Sequence, residues 1–187
     1  MRVLVCGGAG YIGSNMTAML NSQGHEPVVY DNLSKGHRAA IGHTKLVEGD
    51  LDDYKSLLET LMKYDIEAVM HFAAFIEVGE SVQAPLKYYR NNLSCTQNLL
   101  SAMEAGGVEK FVFSSTAAVY GIPESIGGGI SEDCPTKPIN PYGQTKLAVE
   151  RMCYYQGRAE KLRYASLRYF NAGRFITPDH LLRINHP

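Results

Sequence analysis

A doubly wound α/β fold, with a parallel sheet of about six strands and helices on both faces, is predicted by three observations. Short apolar runs alternate with helix-period stretches along the 187 residues. A glycine-spaced turn joins the first run to the first helix, and the runs are rich in Val, Phe, Ile or Tyr between turn residues. Such alternation implies parallel strands linked by right-handed crossovers.

Taken in order, residues 3–6 read as a short buried strand, and residues 7–13 as a turn opening a helix that Gly24 ends near Gln23. Strands are expected at residues 27–30, 45–48, 68–73, 110–115 and 164–170, where β-branched and aromatic residues concentrate. Helical spacing covers residues 53–64, 85–105 and 142–158, each closed by polar or glycine-bearing turns. Residues 122–141 hold four of the eight prolines, Pro123, Pro135, Pro138 and Pro141, together with Gly127, Gly128 and Gly129. That composition makes a loop inside one domain. Residues 1–171 are expected to form this domain and residues 172–187, which include Pro178 and Pro187 and lack a period, an irregular C-terminal tail.

Composition narrows the function classes. Eighteen Lys and Arg against 19 Asp and Glu give a formal charge of −1, and the charges are interleaved. A nucleic-acid partner or an anionic membrane surface is therefore not expected. At 45% hydrophobic and 20% charged, the chain is ordinary globular material. Cys6, Cys95, Cys134 and Cys153 form no Cys-x-x-Cys and have no His at ligand spacing, so no metal site and no disulfide framework is expected. A reducing cytoplasm fits. The first 14 residues carry one basic residue and a short apolar run cut by glycines, too little for a signal peptide or a membrane span.

The glycine turn carries the first chemistry. Gly7, Gly10 and Gly13 stand three apart between strand and helix. In a Rossmann-type dinucleotide fold Gly7 makes the tight turn, Gly10 lets the backbone approach a pyrophosphate, and Gly13 lets the helix pack on the strand. The helix N-terminus then holds the anion. Asp31 ends the second strand, where the adenosine ribose hydroxyls would lie, and favours NAD over NADP because a 2′-phosphate would meet a like charge. Lys35 and Arg38 pull the other way, since either could pair with a phosphate.

Tyr142-Gly143-Gln144-Thr145-Lys146 is the second signal. Asn140 and Pro141 supply a cap and a first helical position, so Tyr142 and Lys146 lie four apart on one helix face. A tyrosine pKa near 10 must fall by about three units to make a base at neutral pH, a differential of about 4 kcal/mol. A charge at about 4 Å, with an effective dielectric of about 20, contributes about 4 kcal/mol, so one lysine helped by a cationic nicotinamide suffices. A solvated helix face is the alternative. The third signal is the hydroxyl run Ser114, Ser115 and Thr116 at the end of the fifth strand. Ligands of open parallel sheets bind beyond the carboxyl ends of strands, and Gly7, Asp31, Asp50, Ala74, Thr116 and Asn171 all fall at such ends.

The set resembles one family. Gly7-Gly8-Ala9-Gly10-Tyr11-Ile12-Gly13, Asp31-Asn32-Leu33-Ser34, Glu48-Gly49-Asp50, His71-Phe72-Ala73-Ala74, Val78-Gly79-Glu80-Ser81-Val82, residues 85–92, Ser114-Ser115-Thr116, the Tyr142 to Lys146 motif and Arg168-Tyr169-Phe170-Asn171 look like those of the UDP-glucose 4-epimerases. These belong to the extended short-chain dehydrogenase/reductase superfamily. The resemblance runs from residue 1 to about residue 173.

It implies tightly held NAD, with Tyr11, Ile12, Asp31, Asn32, Leu33, Ser34, Lys35, Gly36, Asp50, Leu51, Phe72, Ala73, Ala74, Phe75, Ile76, Asn91, Lys146 and Phe170 at cofactor positions beside the glycine turn. It implies a UDP-sugar substrate whose 4-hydroxyl gives its proton to Tyr142 and hydrogen-bonds Thr116 while the C4 hydride passes to NAD. The 4-keto sugar turns over and takes the hydride on its other face. Lys146 would tune Tyr142 and hold the ribose, and Asn171 would contact the nucleotide sugar. Related 4,6-dehydratases carry an acidic pair after the Ser/Thr position. Ala117 and Ala118 stand there, and alanine moves no protons. The family continues into a C-terminal substrate lobe, expected to be absent here, and its full-length form is expected to be a homodimer. The alternatives are a nucleotide-sugar 4-ketoreductase and an NAD-binding fragment without catalysis.

Overall fold

The computed structural model describes residues 1–123, 129–159 and 161–172. Six parallel strands, β1 (Arg2–Cys6), β2 (Glu26–Asp31), β3 (Lys45–Glu48), β4 (Ala68–His71), β5 (Lys110–Thr116) and β6 (Arg163–Tyr169), form one sheet in the order β3-β2-β1-β4-β5-β6. That is the doubly wound order of dinucleotide-binding folds, with the order reversing between β1 and β4. Val3 pairs with Pro27 on one side and Ala68 on the other, so β1 is central.

Alternation along β1 builds both layers of the core. Leu4 and Cys6 face a large cluster with Val28, Tyr30, Val69, Phe111 and Phe113, which is covered by α2 (Tyr54–Lys63), α5 (Cys95–Ala105) and α6 (Pro141–Ala159) through Leu57, Leu61, Leu99, Met103, Val149 and Cys153. Val3 and Val5 face the other way, against Leu20 and Met16 of α1 (Tyr11–Ser22). A strand buried on both faces reads as a continuous apolar run, which is why Val-Leu-Val-Cys lacks polar alternation.

Helix boundaries follow local chemistry. Gly10 precedes α1 in extended conformation without a capping side chain, and Gly24, at φ 73°, closes it. The Asp53 carboxylate accepts from the Ser56 N–H at 3.0 Å and starts α2. Asn140 does the same for Gly143 at 2.8 Å, so α6 begins at Pro141 as its sequence predicts.

Three differences from the sequence reading have physical causes. The fourth strand stops at His71 rather than residue 73, because Phe72 and Ala73 turn away to lie against Gly7. Residues 85–105 are interrupted: α4 (Pro85–Tyr88) runs into a π-helical segment (Tyr89–Ser94) before α5 begins at Cys95. A short helix, α3 (Val78–Gln83), precedes them, and too few turns carry its period to make it readable. The expected tail lies outside the described residues beyond Ala172, and no helix among those described is long and apolar enough to cross a membrane.

Candidate active site

The sequence-predicted residues that are described lie at the carboxyl ends of the strands or on the segments that follow them. Gly7 follows β1 with φ 73°, and a Cβ there would lie 2.4 Å from the Ala73 nitrogen, so the turn and the segment after β4 are in direct backbone contact. A Cβ on Gly13 would lie 2.2 Å from the Gly7 carbonyl oxygen, which fixes that position as glycine by close approach. Gly10 differs: its nearest neighbour would be 3.4 Å away. The first turn of α1, with Tyr11 exposed and Ile12 half-buried, carries no acidic residue. A strand, a glycine cradle and an uncapped helix start together fit a pyrophosphate.

Asp31 is 8% exposed. Its Oδ2 accepts from the Ala9 N–H at 2.9 Å and its Oδ1 from the Leu33 N–H at 2.8 Å, so the acid ties β2 to the glycine turn. Asn32 donates to Asp50 at 2.9 Å, Ser34 is held by Asn32, and the His37 backbone N–H donates to the Ala9 carbonyl, with Gly36 packed against Ala9. Leu33 adopts φ 57° to make this corner. Lys35 reaches Glu77 at 4.0 Å, and Arg38 donates to the Thr44 carbonyl at 3.1 Å. Arg38 thus has a backbone partner, whereas the Lys35 pair is exposed and weak. Leu51 is buried below Asp50.

After β4, Phe72, Ala73, Ala74 and Phe75 are half-buried and Ile76 is exposed. Asn91 is half-buried on the π segment and donates to the Asn92 carboxamide at 2.9 Å. Phe170 and Asn171 are exposed beyond β6.

The hydroxyl run and the tyrosine helix meet. Tyr142 is 9% exposed, and the Thr116 side chain lies near enough to its phenol to influence it. The Thr116 hydroxyl accepts from the Ala118 N–H at 3.2 Å, starting the short turn Ala117–Tyr120. Lys146 is 3% exposed; it donates to the Ser114 carbonyl at 2.8 Å and lies 4.8 Å from the Phe113 ring centre. Burial pushes this ammonium down to about 7. The expected depression of the phenol by the lysine is not what these partners give. Burial pushes Tyr142 up, and the nearby Thr116 side chain opposes that rise. Helical spacing put both side chains on one face, but Lys146 spends its hydrogen bond on the backbone of β5.

Beneath them is a group that the sequence reading passed over. Glu150, 8% exposed, accepts from the Ser115 hydroxyl and from Arg168 at 2.7 Å. Arg168 also donates to the Tyr120 hydroxyl at 2.9 Å and the Glu132 carbonyl at 3.0 Å. From sequence, Lys146 and Glu150 look like an exposed i, i+4 pair on a helix surface. Only the sheet order shows that both point inward.

An open parallel sheet with a glycine turn at its switch point, a buried acid ending β2 and a Tyr-x-x-x-Lys helix beside a strand-end hydroxyl mark a Rossmann-type dinucleotide-binding domain. The model of the NAD dependent epimerase/dehydratase family matches residues 3–179, and the chain belongs to that family. Among similar proteins, the UDP-glucose 4-epimerase of Rhizobium meliloti (strain 1021) is 48% identical over 171 residues, which are 91% of this chain and 52% of that protein. That of Azospirillum brasilense is 52% identical over 194 residues, 98% of this chain and 55% of the relative. The solved structure of UDP-glucose 4-epimerase from Brucella ovis in complex with NAD superimposes with a TM-score of 0.88 at 50% identity, covering 91% of this chain and 52% of that one. The chain spans about half the length of the relatives it matches.

Proposed function

We propose that these residues are the NAD-binding half of a UDP-hexose 4-epimerase, which interconverts UDP-galactose and UDP-glucose in galactose metabolism. The observation that carries the reading is the buried Tyr142 on α6 beside Thr116 at the end of β5, with Ala117 and Ala118 next to them, on the side of the sheet that carries the glycine turn. Gly7, Gly10, Gly13, Asp31 and Lys146 would hold NAD, together with Tyr11, Ile12, the corner from Asn32 to Gly36, Asp50, Leu51, the segment from Phe72 to Ile76, Asn91 and Phe170. When bound, that group supplies the acceptor and the donor for the C4 hydride.

The chain's residues have the remaining work. Tyr142 takes the proton of the sugar 4-hydroxyl and returns it, and Thr116 fixes the same oxygen. A cation at the crevice would offset the burial that now raises the phenol. Asn171, exposed past β6, would meet the nucleotide sugar. Ala117 and Ala118 offer no acid or base for eliminating water, which supports epimerisation over dehydration.

NAD is preferred to NADP because the Asp31 carboxylate would repel a 2′-phosphate at the adenosine ribose, and Arg38 is bonded to the Thr44 carbonyl. Calorimetry with both cofactors tests this; tighter NADP binding refutes it. Residues 1–171 joined to the second half of the Rhizobium meliloti relative should convert UDP-galactose to UDP-glucose without net NADH formation. A chimera that folds and binds NAD but only reduces a 4-keto sugar would instead make the chain a ketoreductase. We further propose a cytoplasmic enzyme, as its four free cysteines suggest. Its complete form would pair as a homodimer across α5 and α6, along whose seam runs a groove of about 680 Å³ lined by Leu100, Leu147, Met152 and Tyr155.

A further inference from the structure

The segment between β4 and α3, residues 72–77, has no regular secondary structure, yet it forms one wall of the glycine turn. Something must set its position. The Asn92 side chain, 2% exposed, makes two hydrogen bonds to a single residue of it: Oδ1 accepts from the Phe75 N–H at 2.9 Å, and Nδ2 donates to the Phe75 carbonyl at 2.9 Å. Both peptide groups of Phe75 that a sheet neighbour would have satisfied are taken by one carboxamide. Asn92 stands inside the π-helical segment Tyr89–Ser94. An inserted π turn re-aims the side chains around it, and such turns collect at functional sites.

The back of Asn92 is held as firmly as its front. Thr96 Oγ1 donates to the Asn92 carbonyl at 2.7 Å and so must accept in its 2.9 Å bond with His71 Nε2. That direction fixes the tautomer: His71 carries its proton on Nε2, and its Nδ1 is buried with no hydrogen-bond partner. His71 is the last residue of β4, lies against both Phe111 and Phe113, and is 1% exposed. A buried polar chain of this kind costs free energy unless every link is made. An apolar trio would pack there at less cost, so its presence at the base of an irregular wall points to positioning.

We propose that Asn92 is a positioning residue that clamps residues 72–77 against the glycine turn, held in place by the hydrogen-bonded chain from His71 through Thr96, and that this clamp sets the affinity of the crevice for a dinucleotide. The proposal rests on the reading that the crevice takes NAD. Asn92 need not touch the ligand. It acts through Phe75 and through the contact of Ala73 with Gly7.

Four variants of the 187-residue chain test it, each followed by NAD titration calorimetry, thermal melting and amide hydrogen exchange at Phe75. Asn92→Leu removes both bonds to Phe75 and should weaken NAD binding about tenfold or more. Thr96→Val should weaken it severalfold, and Thr96→Ser, which keeps the hydroxyl, should restore it. Thr60→Val is the control, because Thr60 on α2 is also buried and makes the same backbone bond, to Ser56 at 2.7 Å. It should lower the melting temperature yet leave NAD affinity unchanged. If Asn92→Leu does not fold, the Thr96 pair decides. Wild-type affinity in Thr96→Val, equal loss in Thr96→Ser, or equal loss in Thr60→Val would each overturn the proposal. A wild-type chain that binds no NAD would refute the proposed function instead. The Phe75 amide then decides the clamp, with faster exchange in Thr96→Val but not in Thr60→Val supporting it and unchanged exchange overturning it.

Discussion

At the scale of single residues, the three glycines of the first turn separate cleanly. Gly10→Ala should leave the melting temperature within a few degrees, since its Cβ has 3.4 Å of room, and should still weaken NAD binding because it lies where the anion approaches. Gly13→Ala must displace the Gly7 backbone and should lower both stability and affinity. A Gly10→Ala variant with unchanged NAD affinity would remove the turn from the cofactor site. Lys146 gives a second prediction. Its folded value, about 7, lies below its ordinary 10.5, so between those limits the unfolded chain holds a proton that the folded chain has released. Stability from this group is lowest below pH 7 and rises up to about pH 10.5. Lys146→Met should therefore be more stable than the wild type at pH 6, by about 1–4 kcal/mol, with the gap closing towards pH 10 in urea denaturation. In the chimera, Tyr142→Phe should abolish turnover while keeping NAD bound, and wild-type turnover would refute its role.

At the scale of elements, the junction of β5, β6 and α6 depends on one buried pair. Arg168→Met leaves the Glu150 carboxylate buried beside Ser115 and should cost about 3–5 kcal/mol. The double change Glu150→Leu with Arg168→Met should cost less than the sum of the two single changes, because neither charge is then stranded. Additive costs in a double-mutant cycle would show that the pair is not coupled. This junction also marks where sequence reading ends. The six strands, the glycine turn, Asp31 and the start of α6 were legible, because each is dictated by a local pattern: apolar runs, glycine spacing, Asn before Pro. The π segment was not, since Tyr89 to Ser94 continues a helical period and only the pairing of Asn92 with Phe75 shows the register change. The partner of Lys146 was not legible either. Spacing along α6 gives its face, whereas the Ser114 carbonyl is brought there by the sheet.

At the scale of the whole molecule, the described residues build a cofactor crevice and leave β6 as the least covered strand, with Tyr164 37% and Leu167 39% exposed and Phe170, just past its end, 62% exposed. Contacts remote from the reacting carbon normally supply the energy that orients a substrate. The 187 residues alone should accordingly bind NAD weakly and leave UDP-galactose unchanged in a chromatographic assay, and turnover near that of a full-length relative would refute this. Exposed apolar surface along β6 should also make sedimentation concentration-dependent. The central place of β1 has a further consequence, during synthesis. Residues 2–6 leave the ribosome before the rest of the sheet and meet β2 after a short helix, but their other edge stays open until Ala68 to His71 have been made. For that interval the growing chain carries Val-Leu-Val-Cys as an unpaired strand edge, the kind of surface that templates misassembly. A nascent chain stalled before β4 should recruit holding chaperones, and one stalled after β4 should release them.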